Sequence, residues 1–241
     1  MARVTERIRK LYIFPHAGGS PQYYIPFSKA FTTEVKRVGV QYPGKGGNHD
    51  LGSFTSIEDL ADQVVTTLPP FDPADGPVAF FGHSMGALLA FEVARRFEAS
   101  GNRIAALFVS AAGAPGSAGY DNIPESDRGL LDAVSTMTGV NPEFLENEEF
   151  AAKILPTLRG LKAIANYDCP PQVQISSPIF AYRGDEDDVA TEEKVAPWSQ
   201  RTTAQFSVKV FSAPGHHFYL NDHLPELVAD MEEKIAVTCS R

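Results

Sequence analysis

Cysteine is nearly absent: the 241 residues hold two, Cys169 and Cys239. They are isolated, with no C-x-x-C, so no disulfide framework is expected. Long apolar runs are missing too. The longest is the six residues from Ile104 to Val109, far below the roughly 20 needed to cross a bilayer. Arg3, Arg7, Arg9 and Lys10 precede only Leu11-Tyr12-Ile13-Phe14, too short for the apolar region of a signal peptide, so a cytoplasmic protein is expected. Positive charge is scarce: 21 Lys+Arg face 30 Asp+Glu, a net charge of −9. That disfavours a duplex nucleic-acid binder, which needs a basic footprint. No repeat, low-complexity tract or transit signal is present.

What remains is an ordinary globular composition, 43% hydrophobic and 21% charged, at a length that suits one domain or one domain with an insert. The charge is uneven. Residues 1–45 carry eight basic and two acidic side chains, leaving 13 basic against 28 acidic in the rest. Apolar, β-branched runs alternate with helical periodicity, which predicts βαβ units and a parallel, doubly wound sheet. The expected strands are Lys10–Pro15, Val35–Tyr42, Pro77–Gly82, Ile104–Ala112, Pro178–Arg183 and Ser207–Ser212. Several are continuous apolar runs, as expected of strands covered on both faces. Helices are expected at Ile57–Leu68, Met85–Ala99 and Leu224–Val237, where apolar residues recur at i, i+3, i+4 and i+7. Between Ala112 and Pro178 no strand is expected. Three helices, Asp127–Thr138, Pro142–Ile154 and Pro156–Asn166, fill that stretch, too long for a loop in a compact domain. Residues 1–113 and 171–241 thus form the expected core, with 114–170 a helical lid insert. Such an insert would cover the strand edge where open α/β sheets bind ligands.

Gly82-His83-Ser84-Met85-Gly86 is the strongest local signal. A G-x-S-x-G pattern alone is weak, but here it leaves an apolar strand and opens a helix, the setting of a nucleophile elbow. A serine nucleophile needs a base, and the base a carboxylate to orient it. Those groups follow in the order Ser, Asp or Glu, His. Gly184-Asp185-Glu186-Asp187-Asp188 and Gly215-His216-His217-Phe218 each lie just past a strand, so three groups can converge on one sheet edge. Asp187 is preferred with Asp185 as the alternative. His217 is preferred over His216, which reads as a loop residue. An oxyanion hole would use the Met85 N–H and, from the loop after the first strand, the Ala17 N–H. His16, His49, His83 and His223 read as polar or packed residues, and no spacing among them suits a metal. Neither a metal nor a cofactor is expected.

Four segments, Phe14-Pro15-His16-Ala17-Gly18-Gly19, Gln41-Tyr42-Pro43-Gly44, Gly82-His83-Ser84-Met85-Gly86 and Gly215-His216-His217-Phe218-Tyr219-Leu220, together resemble the type II thioesterases. These are α/β-hydrolase enzymes that work beside polyketide synthases and nonribosomal peptide synthetases. The matches run from about residue 11 to residue 226, and Leu155-Pro156-Thr157-Leu158-Arg159 resembles the family's lid. The resemblance implies an editing thioesterase that frees stalled acyl groups from the phosphopantetheine arm of an acyl or peptidyl carrier protein. It implies Ser84 as nucleophile, Asp187 (third after Gly184) as carboxylate, His217 as base, and Ala17 and Met85 as oxyanion donors. Two departures stand out: Lys45-Gly46-Gly47-Asn48 where the family often has arginines, and His216 in place of the usual glycine. A small-molecule carboxylesterase or lipase on the same fold is the alternative, followed by a non-catalytic carrier-binding module. The basic residues Arg3, Arg7, Arg9, Lys10, Lys29, Lys36, Arg37 and Lys45 are expected to lie near the site mouth and to include carrier-docking contacts.

Overall fold

Strand propensity produces six strands in the computed structural model, which describes residues 8–42, 56–69, 76–117, 124–138, 146–149, 151–152, 155, 167–212 and 215–238, and burial is deepest in the central ones. The six are β1 (Lys10–Phe14), β2 (Lys36–Gly39), β3 (Val78–His83), β4 (Ala106–Ser110), β5 (Ile179–Gly184) and β6 (Phe206–Phe211). They make one sheet in the order β2-β1-β3-β4-β5-β6, and every pairing is parallel. Five strands match their expected ranges to within two residues. β2 ends three residues early, where Tyr42 leaves the sheet and its hydroxyl donates to the Pro15 carbonyl at 2.6 Å.

Among the described residues, six α-helices connect and cover the strands: α1 (Ile25–Ala30), α2 (Ile57–Thr67), α3 (Met85–Ala99), α4 (Asp127–Thr138), α5 (Glu192–Val195) and α6 (Leu224–Thr238). α5 continues directly into a 3-10 turn, Ala196–Arg201. The two-residue period of the strands divides the core into two layers. Tyr12, Phe14, Phe80 and Leu107 pack with Leu60 and Val64 of α2 and Leu88 and Phe91 of α3. Leu11, Ile13, Phe81 and Phe108 pack on the other face with Phe27 of α1 and Leu227 and Met231 of α6. Helices on both faces explain why β3 and β4 are buried at every position. Ser56 accepts a hydrogen bond from the Asp59 N–H and starts α2. Gly101, at φ +81°, ends α3 in a conformation that favours glycine.

Of the three helices expected between β4 and β5, α4 forms over the anticipated residues. Pro142–Ile154 and Pro156–Asn166 lie mostly outside the described residues, as do Arg3, Arg7, Pro43, Gly44, Lys45, His49 and Cys239. Both feet of the intervening segment are pinned. The Gly116 N–H donates to the Tyr167 carbonyl at 3.1 Å. The buried Arg201 guanidinium reaches both sides, donating to Pro170 O at 2.9 Å and Pro115 O at 3.0 Å.

The sheet corrects one expectation. Lys10 and Lys36 face each other at the starts of β1 and β2, and Arg9 directly precedes them. In a parallel sheet all strand starts share one edge, whereas Ser84 follows the end of β3. At about 3.3 Å per residue, a five-residue strand separates the two edges by roughly 15 Å. Arg37 is turned inward, donating to the carbonyls of Thr33 and Val35. Arg9, Lys10, Lys36 and Arg37 therefore do not surround the site mouth. No helix among the described residues is long and apolar enough to cross a membrane.

Candidate active site

The site grows from two glycines that allow one strained serine. Ser84 has φ 55° and ψ −126°, a backbone conformation that costs a non-glycine residue on the order of 1–3 kcal/mol. The turn is enforced from both sides. A Cβ on Gly82 would lie 2.2 Å from the Gly86 carbonyl oxygen, and one on Gly86 would lie 2.1 Å from that of Phe14. Gly86 thereby seats the start of α3 directly on the end of β1 and on Pro15. The Ser84 hydroxyl makes no capping bond to α3. It meets His217 Nε2 at 3.1 Å instead.

His217 Nδ1 lies 3.0 and 3.2 Å from the two carboxylate oxygens of Asp187. Ser84, Asp187 and His217 are all at least 95% buried, so their pairing is little screened by water. Asp187 sits in the turn after β5, where its Oδ1 also accepts the N–H groups of Val189 and Ala190. Burial would raise its carboxyl. The His217 imidazole and these two N–H donors outweigh burial and hold it below its ordinary value. Asp185, two residues earlier, is exposed. The structure brings Asp187 to the imidazole and leaves Asp185 in solvent.

Backbone contact aligns the acid and histidine turns. A Cβ on Gly184 would lie 1.6 Å from the Gly215 carbonyl oxygen, and the Glu186 N–H donates to that same oxygen at 2.9 Å. His216 faces outward, with its Nε2 3.6 Å from Asp222.

Ala17 lies in the turn after β1, half-buried against the same core as Met85. Its turn is held by Gly19 N–H donating to His16 O and by the Tyr42 hydroxyl on Pro15 O. Met85 opens α3, where the first N–H groups have no intrahelical acceptor. Both positions thus flank the Ser84 turn, on segments joined through Gly86.

Two further histidines, read from sequence as packed residues, lie beside the triad-like chain. His16 packs against Tyr23 and Phe218 at ring-centroid distances of 4.8 and 5.0 Å, and its Nδ1 lies 2.8 Å from the Tyr24 hydroxyl. Burial, with a smaller contribution from His217, lowers its pKa to about 4. Burial also pushes His83 well below its ordinary value. Neither imidazole therefore places a positive charge beside His217 at neutral pH, and the charge at its side is the Asp187 carboxylate. The groups not foreseen from sequence are Ser110 and Tyr24, whereas Tyr42 and Tyr219 lie in segments that carry the family resemblance. Each is an ordinary strand or loop residue until the fold places it here. Among the described residues, no group of three or more His, Cys, Asp or Glu side chains could hold a metal ion.

Comparison with known proteins identifies the family and the fold. The thioesterase domain family matches residues 9–235. Thioesterase TesA of Mycobacterium leprae is 52% identical over 238 residues, covering 98% of this chain and 90% of that protein. Thioesterase PikA5 of Streptomyces venezuelae is 36% identical, over 95% of this chain and 82% of its own. Among solved structures, the type II thioesterase BorB from the borrelidin biosynthetic cluster superposes with a TM-score of 0.77. It is 35% identical over 95% of this chain and 93% of its own. The chain belongs to the thioesterase domain family and has its α/β-hydrolase fold, which makes it a thioester hydrolase.

Proposed function

We propose that this enzyme hydrolyses acyl thioesters on the phosphopantetheine arm of acyl or peptidyl carrier proteins, with Ser84, His217 and Asp187 as its catalytic triad. The observation that carries the reading is the continuous buried chain from Ser84 Oγ through His217 to Asp187. His217 takes the Ser84 proton as the hydroxyl oxygen attacks the thioester carbonyl. The Ala17 and Met85 N–H groups hold the oxyanion. The protonated imidazole then gives its proton to the departing pantetheine thiol. Water, activated by the same imidazole, releases the acid and restores the serine. Asp187 keeps the imidazole in one orientation and stabilises its charged form. Similarity to type II thioesterases of polyketide and nonribosomal peptide pathways supports an editing role, removing stalled or wrong acyl groups.

In this reading residues 1–113 and 171–241 are the catalytic core, and 114–170 form a helical lid. The pinned feet at Pro115 and Pro170 support that division, since the segment between them leaves the core after β4 and returns before β5; Ser84 lies at the sheet edge where the strands end. The carrier arm approaches from this edge. A cytoplasmic location is part of the proposal and accords with two isolated cysteines.

The test is a comparison of kcat/KM on acyl-carrier-protein thioesters of graded chain length with kcat/KM on oxygen esters bearing the same acyl groups. A clear preference for the carrier-bound thioesters is expected. Equal or better turnover of the free oxygen esters would overturn the proposal in favour of a carboxylesterase.

A further inference from the structure

Two non-glycine residues among those described have positive φ, Ser84 at 55° and Ala111 at 50°. They sit on either side of one hydrogen bond, the Ser84 N–H donating to the Ser110 carbonyl at 2.7 Å. Strain of this kind persists only where the surroundings over-determine it. Ser110 supplies much of that constraint. It ends β4, is fully buried, and its hydroxyl oxygen lies 2.6 Å from the Tyr219 hydroxyl and 2.9 Å from His83 Nδ1. Tyr219 is two residues beyond His217 and stacks on Phe211 of β6 at a centroid distance of 4.8 Å. His83 directly precedes Ser84 and packs beside His217, with centroids 5.5 Å apart.

Resting on the triad reading above, we propose that Ser110 is a positioning residue that sets the distance between nucleophile and base. Its carbonyl fixes the backbone of Ser84, and its hydroxyl ties down the turn that carries His217. The two reacting side chains come from loops after different strands, and β4 lies between β3 and β5. Ser110 is thus the point where one residue touches both halves. Removing the hydroxyl leaves His83 Nδ1 and the Tyr219 hydroxyl facing each other across an empty, buried gap. His83 is poorly placed to compensate, since its Nε2 has no partner among the described residues. The His217 turn is then free to move by a fraction of an ångström, with no group lost from the chemistry itself.

The experiment uses the full chain and an acyl-pantetheine thioester, with Ser110→Ala, Tyr219→Phe and the double variant. Each single change is expected to lower kcat about 10- to 100-fold, the scale of a 1 Å misplacement. KM should stay within about twofold of wild type. Because both changes cut the same link, the double variant should be no slower than the slower single variant. Tyr219→Phe keeps the ring and its stack, so it carries the test if Ser110→Ala fails to fold. Ser84→Ala and His217→Ala serve as controls for the reading beneath. If both controls are inactive while the Ser110 and Tyr219 variants keep wild-type kcat, the positioning role is wrong and the triad stands. Multiplying losses in the double variant, or a rise in KM that accounts for the loss, overturn it too. Wild-type turnover by Ser84→Ala would remove the triad and the inference with it.

Discussion

Gly184→Ala puts a single methyl group at the joint between the acid and histidine turns. A Cβ there would sit 1.6 Å from the Gly215 carbonyl oxygen and 2.1 Å from its carbon, and contacts under 3.0 Å essentially never occur. Relief therefore needs about 1.4 Å of backbone movement, and both atoms met are main chain, with no side chain to swing aside. Asp187 follows Gly184 by three residues and His217 follows Gly215 by two, so the displacement falls on their 3.0 Å pair. A misplacement of about 1 Å is worth about 100-fold in rate, and forced overpacking costs about 1–3 kcal/mol in stability. Gly184→Ala is thus expected to lose about 100-fold in kcat while still folding. Gly101→Ala is the control. It has open space around its Cβ but φ +81°, so it should lose about 1 kcal/mol of stability and no activity. Thioester turnover and urea midpoints of both variants are the assay. Near-wild-type kcat in Gly184→Ala would refute the reasoning.

Asp187→Asn should lower kcat by about 10⁴-fold, because an amide no longer fixes the productive imidazole tautomer. Asp185→Asn should change it little, and the reverse order would reassign the carboxylate. His16 contributes an acid-labile component of stability. Unfolded, its imidazole takes up a proton near pH 6.5, and folded only near 4. The unfolded chain thus binds more protons between those values, and stability falls as pH drops through that window. The full shift corresponds to about 3 kcal/mol, taken as about 2 kcal/mol because His16 keeps some exposure to solvent. Urea unfolding at pH 7 and pH 4.5 should show a loss about 2 kcal/mol smaller in His16→Gln than in wild type, the buried His83 contributing to both; equal losses in both would contradict it. Arg201→Met should cost about 2–4 kcal/mol, since it orphans the carbonyls of Pro115 and Pro170. A change below about 0.5 kcal/mol would show that the insert's feet hold without the guanidinium.

The architecture was legible where burial leaves a simple pattern. β3, β4 and β5 are covered on both faces, so their apolar runs located them to within two residues. α1 went unseen because it is only six residues long with Pro26 in its first turn. The turn formed by Glu192–Val195 and Ala196–Arg201 has too few residues for a helical period to show. Ser84 and His217 were legible from motif context and chain order. Residue reading prefers Asp187 and keeps Asp185 as the alternative. Both follow the same strand, and only the fold buries one and exposes the other. Ser110 has no local signature, and Tyr219 shows only as part of the segment around His217, because their role depends on two strands and a loop meeting. Of the basic residues expected at the site mouth, Arg9, Lys10, Lys36 and Arg37 lie toward the opposite sheet edge, because they precede or begin β1 and β2.

The most direct single measurement is the rate at which Ser84→Ala hydrolyses an acyl-carrier-protein thioester, relative to the wild-type enzyme. The substitution removes one oxygen at a strained, buried position and leaves Asp187 and His217 in place. A loss on the order of 10⁶-fold is expected when a triad serine is deleted. Retention of near-normal turnover would contradict Ser84 as the nucleophile.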